Sequence, residues 1–352
     1  MRIAQVAPLY FTVPPKLYGG TERVVSYLTE ELVAQGHEVT LFASGDSRTS
    51  AKLIAACPKA LCNVPNYGEP RPYFARMMDL VFADVSRFDV IHFHTEAIQF
   101  PLLRDRPCPN VTTLHGPIAP RWKLLVDEYN PPLISCSDAQ RQPLPNANWQ
   151  ATVYHGLPRD LFTFRKESGD YLAFIGRVSR QKRLDRAILI ACRAGLKLKV
   201  AAAINREDQY FKRDIEPLLH DGVEFVGEIG GQEKDAFLGN ARALLFPIDG
   251  PEAFGLVMIE ALACGTPVIA WRSGPVPEVI DHGRTGFLVE SVEEAVEAVD
   301  RIPGLSRATC RQVFEDRFDA AVMARKYVEV YRRLALPQKS EISVGPGQYR
   351  ER

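Results

Sequence analysis

Apolar positions along this chain follow two rhythms that take turns. Residues 2 to 7 form a short run expected as a strand, and the loop "PPKLYGG" follows it. Val24, Val25, Leu28 and Leu32 then repeat at helical spacing behind Thr21, a residue type suited to capping a helix start. Gly36 closes that helix and "EVTLFA" opens the next strand. "FDVIHFH" (88–94), "NVTTLHG" (110–116) and "PPLISCS" (131–137) extend the series as β-rich runs ending in polar residues. Repetition of strand, loop, helix and strand predicts a parallel, doubly wound sheet.

After Phe164 the charged stretch "RKESGD" interrupts the pattern, and a second series begins with "YLAFIGRVSRQKRLDRAILIACRAG". It continues through "LKVAAAI", "VEFVGEI", "ARALLFP" and "TPVIAW". The fold class expected is therefore α/β, with two Rossmann-like domains over residues 1–165 and 166–318 and a ligand cleft between them. An amphipathic helix over 319–336 follows, and the turn-rich tail 337–352 is expected to be mobile.

Composition narrows the function classes. Hydrophobic residues make up 46% and charged residues 24% of 352, and no window approaches the ~18 consecutive apolar residues of a membrane span. The 43 basic side chains balance the 43 acidic ones, and both signs are spread over the two halves, unlike a nucleic-acid binder. "MRIAQVAPLY" has no long apolar leader core, so the cytoplasm is the expected compartment. Seven scattered cysteines without a CxxC spacing suggest reduced thiols, neither zinc ligands nor a disulfide framework. Neither GxGxxG nor GxxxxGK[ST] occurs, which closes two common nucleotide-binding routes.

Candidate chemistry concentrates in "PIDGPEAFGLVMIEALACGTPVIAW" (247–271). A loop, a short helix from Leu256 to Cys264, a terminating Gly265 and a strand after Pro267 place the helix start at the carboxyl edge of the sheet, where such sheets bind ligands. Backbone N–H groups of Ala253, Phe254, Gly255 and Leu256 would suit a diphosphate there. Glu260 lies about 6 Å further along the axis, in reach of ribose hydroxyls, and Glu252 faces the group beyond the phosphates. Taken alone, Glu260 fits a solvent-facing position equally well, and Glu252 an acid favoured by the helix dipole. "FIGRVSRQKRL" adds Gly176 and Arg177 at a strand end and Lys182 before a helix, partners for a leaving diphosphate. Arg180 and Arg183 read as solvated surface.

Together Gly176, Arg177, Lys182, Glu252 and Glu260 resemble the donor site of retaining nucleotide-sugar glycosyltransferases of family 4, which have the two-domain GT-B architecture. The most specific pieces are "PEAFGLVMIEALACGTPVIA" and the continuation "SGPVPEVIDHGRTGFLV"; "VPPKLYGGTERVVSYLTEELVAQGHEVTLFA" is similar to the family's glycine-rich loop and first helix. The resemblance implies that Gly19 and Gly20 let backbone approach the donor, that His115 in "TTLHG" faces the donor sugar, and that the last helix crosses back onto the first domain. Val226 and Gly227, in "EFVGEIGGQ", are expected at the base pocket, and His92, His94 and Glu96 at the acceptor side. Arg183 and His155 stand where the family commonly has glycine and asparagine.

The activity implied is hexosyl transfer with retention from a nucleoside-diphosphate sugar, UDP-glucose first and GDP-mannose next, to a hydroxyl acceptor of unspecified kind. The α-configured donor gives an α-linked product. No cofactor or metal is implied; the chain contains no Asp-x-Asp pair, and its cations can supply the positive charge instead. A sugar-nucleotide 2-epimerase and a non-catalytic nucleotide-sugar-binding protein are the competing readings. No cluster of four or more Lys/Arg borders an apolar face in the first domain, which favours a soluble acceptor or weak membrane contact.

Overall fold

The computed structural model describes residues 1–64, 68–104 and 108–336. Seven strands form the first sheet: β1 (Arg2–Val6), β2 (Glu38–Ser44), β3 (Lys52–Cys57), β4 (Val90–Phe93), β5 (Asn110–Leu114), β6 (Leu133–Ser135) and β7 (Trp149–Thr152). Their spatial order is β3-β2-β1-β4-β5-β6-β7, and every pairing is parallel. The second sheet contains β8 (Tyr171–Ile175), β9 (Lys197–Ala201), β10 (Val223–Phe225), β11 (Ala243–Phe246), β12 (Val268–Trp271) and β13 (Gly286–Val289). It is ordered β10-β9-β8-β11-β12-β13, again all parallel.

Both sheets reverse direction once, between β1 and β4 and between β8 and β11. Parallel strands covered on both faces must be apolar throughout. β11 (ALLF) and β4 (VIHF) are wholly buried, so the one polar side chain in β4, His92, has to find its partners inside. At a reversal the flanking loops diverge and leave a crevice at the carboxyl ends. In the second sheet that crevice opens where β8 runs into Gly176 and β11 into Pro247.

β3, β7 and β13 add to the strands read from the pattern. β3 and β7 are edge strands whose residues are largely half-exposed, so apolar alternation marks them weakly. β13 is four residues long and begins at Gly286, where any Cβ would lie 1.9 Å from the Val268 carbonyl oxygen.

The first helix spans Gly20–Ala34 and is preceded by Gly19 at φ 131°; Thr21, expected as its cap, lies inside the first turn. The last helix, Ala320–Ala335, is capped by Asp319, whose side chain accepts from Ala321 N at 2.9 Å. Leu157 N donates to Phe318 O at 2.9 Å and Ala320 N to Leu157 O at 2.8 Å, which turns the chain back towards the first sheet. This helix packs against Gly20–Ala34 and β4, and its Tyr327 and Tyr331 are fully buried. The tail 337–352 lies outside the described residues.

Candidate active site

A cleft of about 680 Å³ lies between the two sheets. On the second-domain side, β8 delivers Gly176 and Arg177 to its edge. Arg177 is exposed, and among the described residues it pairs with no carboxylate. Two loops meet beside it: Asp249 N donates to Gln181 O at 2.8 Å, and Gln181 Nε2 to Pro251 O at 2.5 Å. That junction fixes Lys182 against Glu252, Nζ to Oε2 2.5 Å, both side chains less than one-fifth exposed.

The short helix is Leu256–Ala263, and its N-terminus opens on the cleft through Gly255, Leu256 and Val257. Gly255 sits at φ 87°; a Cβ there would come within 2.8 Å of Met258 Cε and 3.1 Å of the Phe246 ring. Glycine therefore permits both the left-handed turn and the fit of the loop against β11. First-turn N–H groups of a helix have no carbonyl of their own to bond, and the dipole makes that end electropositive.

Glu260 lies one turn in and is 2% exposed. An unpaired buried carboxylate would cost several kcal/mol or more, and Lys234 from the neighbouring helix Gly231–Gly239 relieves this by donating to Oε1 at 2.6 Å. Lys234 Nζ also lies 2.5 Å from Oε2, without hydrogen-bonding geometry, so Oε2 stays buried with no hydrogen-bond partner. Oε2 of this anchored carboxylate thus keeps unused hydrogen-bond acceptor capacity in a residue that lines the cleft.

On the first-domain side, Gly19, Gly20 and Arg23 face that helix. A Cβ on Gly20 would touch Leu256 Cδ1 at 3.7 Å, so this backbone runs close to the opposite wall. Arg23 is held by donation to Leu17 O at 2.7 Å. β5 runs into His115, whose ring stacks on His155 at 5.2 Å between centroids; His155 in turn meets Phe254 edge-to-face at 5.0 Å. Burial pushes the His115 pKa down to about 3, so the ring is neutral. Its Nδ1 and that of His155 are both buried without a partner.

Several expected residues lie elsewhere. His92 and His94 are buried beneath the cleft floor and bonded to Tyr331, Thr113, His115 and Gln5, and neither lines the cleft. Alternating strand positions in a sheet covered on both faces have no solvent side, and here both imidazoles were recruited into one buried network. Glu96 is exposed in a turn, with its carbonyl accepting from Gln99 Nε2 at 2.7 Å, and does not line the cleft either. Val226 and Gly227 stop just short; Glu228 and Ile229 form that wall. Ala253 is buried at the domain junction, where its carbonyl accepts from Ser137 Oγ at 2.8 Å and its N–H donates to Glu252 Oε1 at 3.2 Å. The lining residues Arg23, Lys234 and His155 carry no distinctive local spacing; only the buried charge of Glu260 demanded a cation such as Lys234.

The two halves are held together directly. Glu278 accepts from the backbone of Asp138 and Ala139, each at 2.8 Å, and from Tyr154 OH at 3.1 Å. Chemically the cleft combines four cations, Arg23, Arg177, Lys182 and Lys234, a helix N-terminus and two anchored carboxylates. It can neutralise a multiply charged anion and grip hydroxyls at once.

Two parallel doubly wound sheets with such a cleft define the GT-B class of glycosyltransferase. Residues 162–306 match the family model "Glycosyl transferases group 1" and residues 18–134 the model "Glycosyltransferase Family 4", so each half of the chain carries a glycosyltransferase domain. It is 24% identical to a phosphatidyl-myo-inositol mannosyltransferase of Mycobacterium leprae, over 95% of this chain and 97% of that one. To a glycogen synthase of Mycobacterium tuberculosis it is 25% identical, over 94% of each. Among solved structures, a glycosyltransferase involved in avilamycin A biosynthesis superposes with TM-score 0.73 at 26% identity, covering 95% of this chain and 98% of that one. An Anabaena protein in complex with UDP-glucose shares the fold at TM-score 0.70 and 18% identity, over 95% of this chain and all of that one. The chain is thus a glycosyltransferase that moves a sugar from a nucleotide sugar. Among the described residues no helix is long and apolar enough to cross a membrane.

Proposed function

We propose that this enzyme transfers a hexosyl group from a nucleoside-diphosphate hexose to a hydroxyl acceptor with retention, forming an α-glycosidic bond without a metal ion. The observation that carries this reading is the placement of Arg177 and Lys182 beside the N-terminus of Leu256–Ala263, with Glu260, whose Oε2 is ion-paired to Lys234 but accepts no hydrogen bond, one turn deeper. Arg177, Lys182 and the N–H groups of Gly255 and Leu256 take the diphosphate, and Glu260 takes the ribose. Lys182 exchanges its bond to Glu252 for the phosphate, which frees Glu252 for hydroxyls of the transferred sugar. His115 orients that sugar from the opposite wall.

Charge accumulates on the leaving phosphate as its bond to the anomeric carbon breaks, and prearranged cations in a water-poor site stabilise it. The acceptor oxygen bonds to the same face of that carbon, and its proton passes to a departing phosphate oxygen, so no protein nucleophile is required. The Anabaena complex supports UDP-glucose as first donor, and the mannosyltransferase relative keeps a mannosyl donor second.

A thermal-shift screen of UDP, GDP and ADP tests the donor site, because a ligand that binds only the folded state raises the melting temperature. One of the three should do so well above the others, and a flat response to all would count against the site. Turnover of the matching sugar nucleotide, followed by NMR, should give an α-anomeric product at a rate indifferent to chelator. A β product, or conversion to a new nucleotide sugar without acceptor, would refute the transfer as written.

A further inference from the structure

Beneath the cleft floor lies a buried chain of polar side chains from three parts of the sequence. Tyr331 OH, on the last helix, lies 2.6 Å from His92 Nδ1 and 3.1 Å from Gln5 Nε2. Gln5 Oε1 lies 2.7 Å from His94 Nε2, and His94 Nδ1 lies 2.8 Å from His115 Nε2. His92 Nε2 meets Thr113 Oγ1 at 2.7 Å, and Thr113 meets Tyr327 OH at 3.1 Å. Gln5, His92 and Tyr331 are fully buried and His94 nearly so. The chain ends at His115, a residue of the cleft wall whose Nδ1 is buried without a hydrogen-bond partner.

Each hydrogen bond needs one donor and one acceptor, so from Gln5 through His94 to His115 the chain of neutral rings can run in only two senses. In one, Gln5 Nε2–H donates to Tyr331, Tyr331 O–H donates to His92 Nδ1, His94 Nε2–H donates to Gln5 Oε1, and His115 Nε2–H donates to His94 Nδ1. Reversal flips the Gln5 amide and every proton with it. The distances at Tyr331 separate the two. N–H donors lie about 2.7–3.2 Å from oxygen and O–H donors about 2.5–3.0 Å from their acceptors. The 3.1 Å contact fits an amide N–H donor and the 2.6 Å contact a phenolic O–H donor; the reversed sense would put each at the edge of its range. The reversed sense would also leave an unpaired N–H in the wall at His115, which folded proteins tolerate less than a bare acceptor.

We infer that Gln5, His94 and Tyr331 are positioning residues that lock His115 as the Nε2–H tautomer, so that its Nδ1 meets the donor sugar only as a hydrogen-bond acceptor. The sugar must then offer a hydroxyl proton at that point, and a donor deoxygenated or O-methylated there is discriminated against. This consequence rests on the proposed placement of the sugar against His115; the tautomer does not. His92, His94, His115 and His155 are all held neutral by burial, in keeping with a chain of neutral imidazoles.

Long-range proton–nitrogen NMR of the full-length protein with ring-¹⁵N histidine reads the tautomer directly, with His115 assigned by its loss in His115→Gln. The wild type should show Nδ1 unprotonated and Nε2 protonated. Gln5→Met and Tyr331→Phe should each turn the His115 signals into a tautomer average and lower kcat with UDP-glucose by about tenfold, at little change in UDP affinity. Tyr331→Phe removes one oxygen and keeps the ring, so it provides the test if Gln5→Met fails to fold. A protonated Nδ1 in the wild type, or an unchanged single tautomer in the folded variants, overturns the inference. Absence of UDP-glucose turnover alongside the expected wild-type tautomer would instead strike the proposed function.

Discussion

A glutamate on an apolar helix is tolerable only because of one lysine. Lys234 gives Glu260 its single ion-pair partner among the described residues, and both are largely buried. Removing one member of such a pair typically costs ~3 kcal/mol or more, because the other charge stays behind. Lys234→Met should therefore lower stability by that order in denaturant melts, and adding Glu260→Gln should restore most of it, since the pair is coupled. Glu260→Gln alone should raise the donor KM about tenfold or more, the worth of a charge-assisted hydrogen bond. Arg177→Ala, in contrast, should chiefly lower kcat in steady-state assays. The buried titratable groups set the pH response. His92, His94 and His155 are pushed well below 6.5 by burial and His115 to about 3. Each contributes stability that is complete above 6.5 and is lost as pH falls, because the unfolded chain then binds protons that the folded one refuses. Glu22 runs the other way: burial raises its pKa from 4.5 to about 7, so its contribution is complete below 4.5 and is lost as pH rises through 7. Four histidines outweigh one glutamate, so the melting temperature should fall from pH 7 to pH 5. Glu22→Gln, which removes the opposing group, should steepen that fall in a pH series of thermal melts.

At the level of elements, the donor helix depends on its entry. Gly255→Ala would force a left-handed φ on a residue with a Cβ and crowd Met258 and Phe246, costing ~2 kcal/mol. It should also weaken nucleotide binding, because the loop that presents the helix N-terminus moves; calorimetry on the folded variant would check both. Why some elements are legible in the sequence and others are not follows from what holds them. β1, β2, β4, β5, β8, β11 and β12 are interior strands whose apolar runs are imposed by cover on both faces, and the pattern reads them directly. β3 and β7 sit at an edge, half-exposed, and their residues answer to a single neighbouring strand. Site residues divide the same way. Arg177, Lys182, Glu252, Gly255 and Glu260 cluster in two short stretches at strand or helix ends, where local punctuation reveals them. Lys234 reaches the cleft through packing of a distant element, and nothing near it in the sequence marks it; Arg23 follows the Gly19–Gly20 turn and His155 departs from the family pattern, yet neither carries a signal of its own. His92 and His94 look like cleft residues from their strand-end position, yet both rings are taken up by Tyr331, Thr113 and Gln5 under the floor.

For the whole molecule, the cleft exists because two independent sheets are clamped at a few points. Glu278 bridges to Asp138 and Ala139, Ser137 to Ala253, and the last helix returns its tyrosines to the first sheet. Glu278→Gln keeps the shape and removes the charge; of the two bonds accepted from backbone N–H groups one loses its acceptor, because the amide nitrogen cannot accept, and the other loses its charge. The junction should loosen, visible as faster hydrogen exchange at residues 137–140 and in the loop holding Ala253. Donor binding and junction are linked through Ala253, which joins Ser137 on one side to the loop of Glu252 on the other. The whole account turns on where a nucleotide's diphosphate comes to rest, and a crystal structure with bound UDP, or with whichever diphosphate stabilises the protein most, decides it. The β-phosphate is expected within hydrogen-bond distance of Lys182, Arg177 and the N–H groups at Gly255 and Leu256, with a ribose hydroxyl on Glu260 Oε2. A diphosphate bound away from that helix end, with Glu260 still paired only to Lys234, would contradict it.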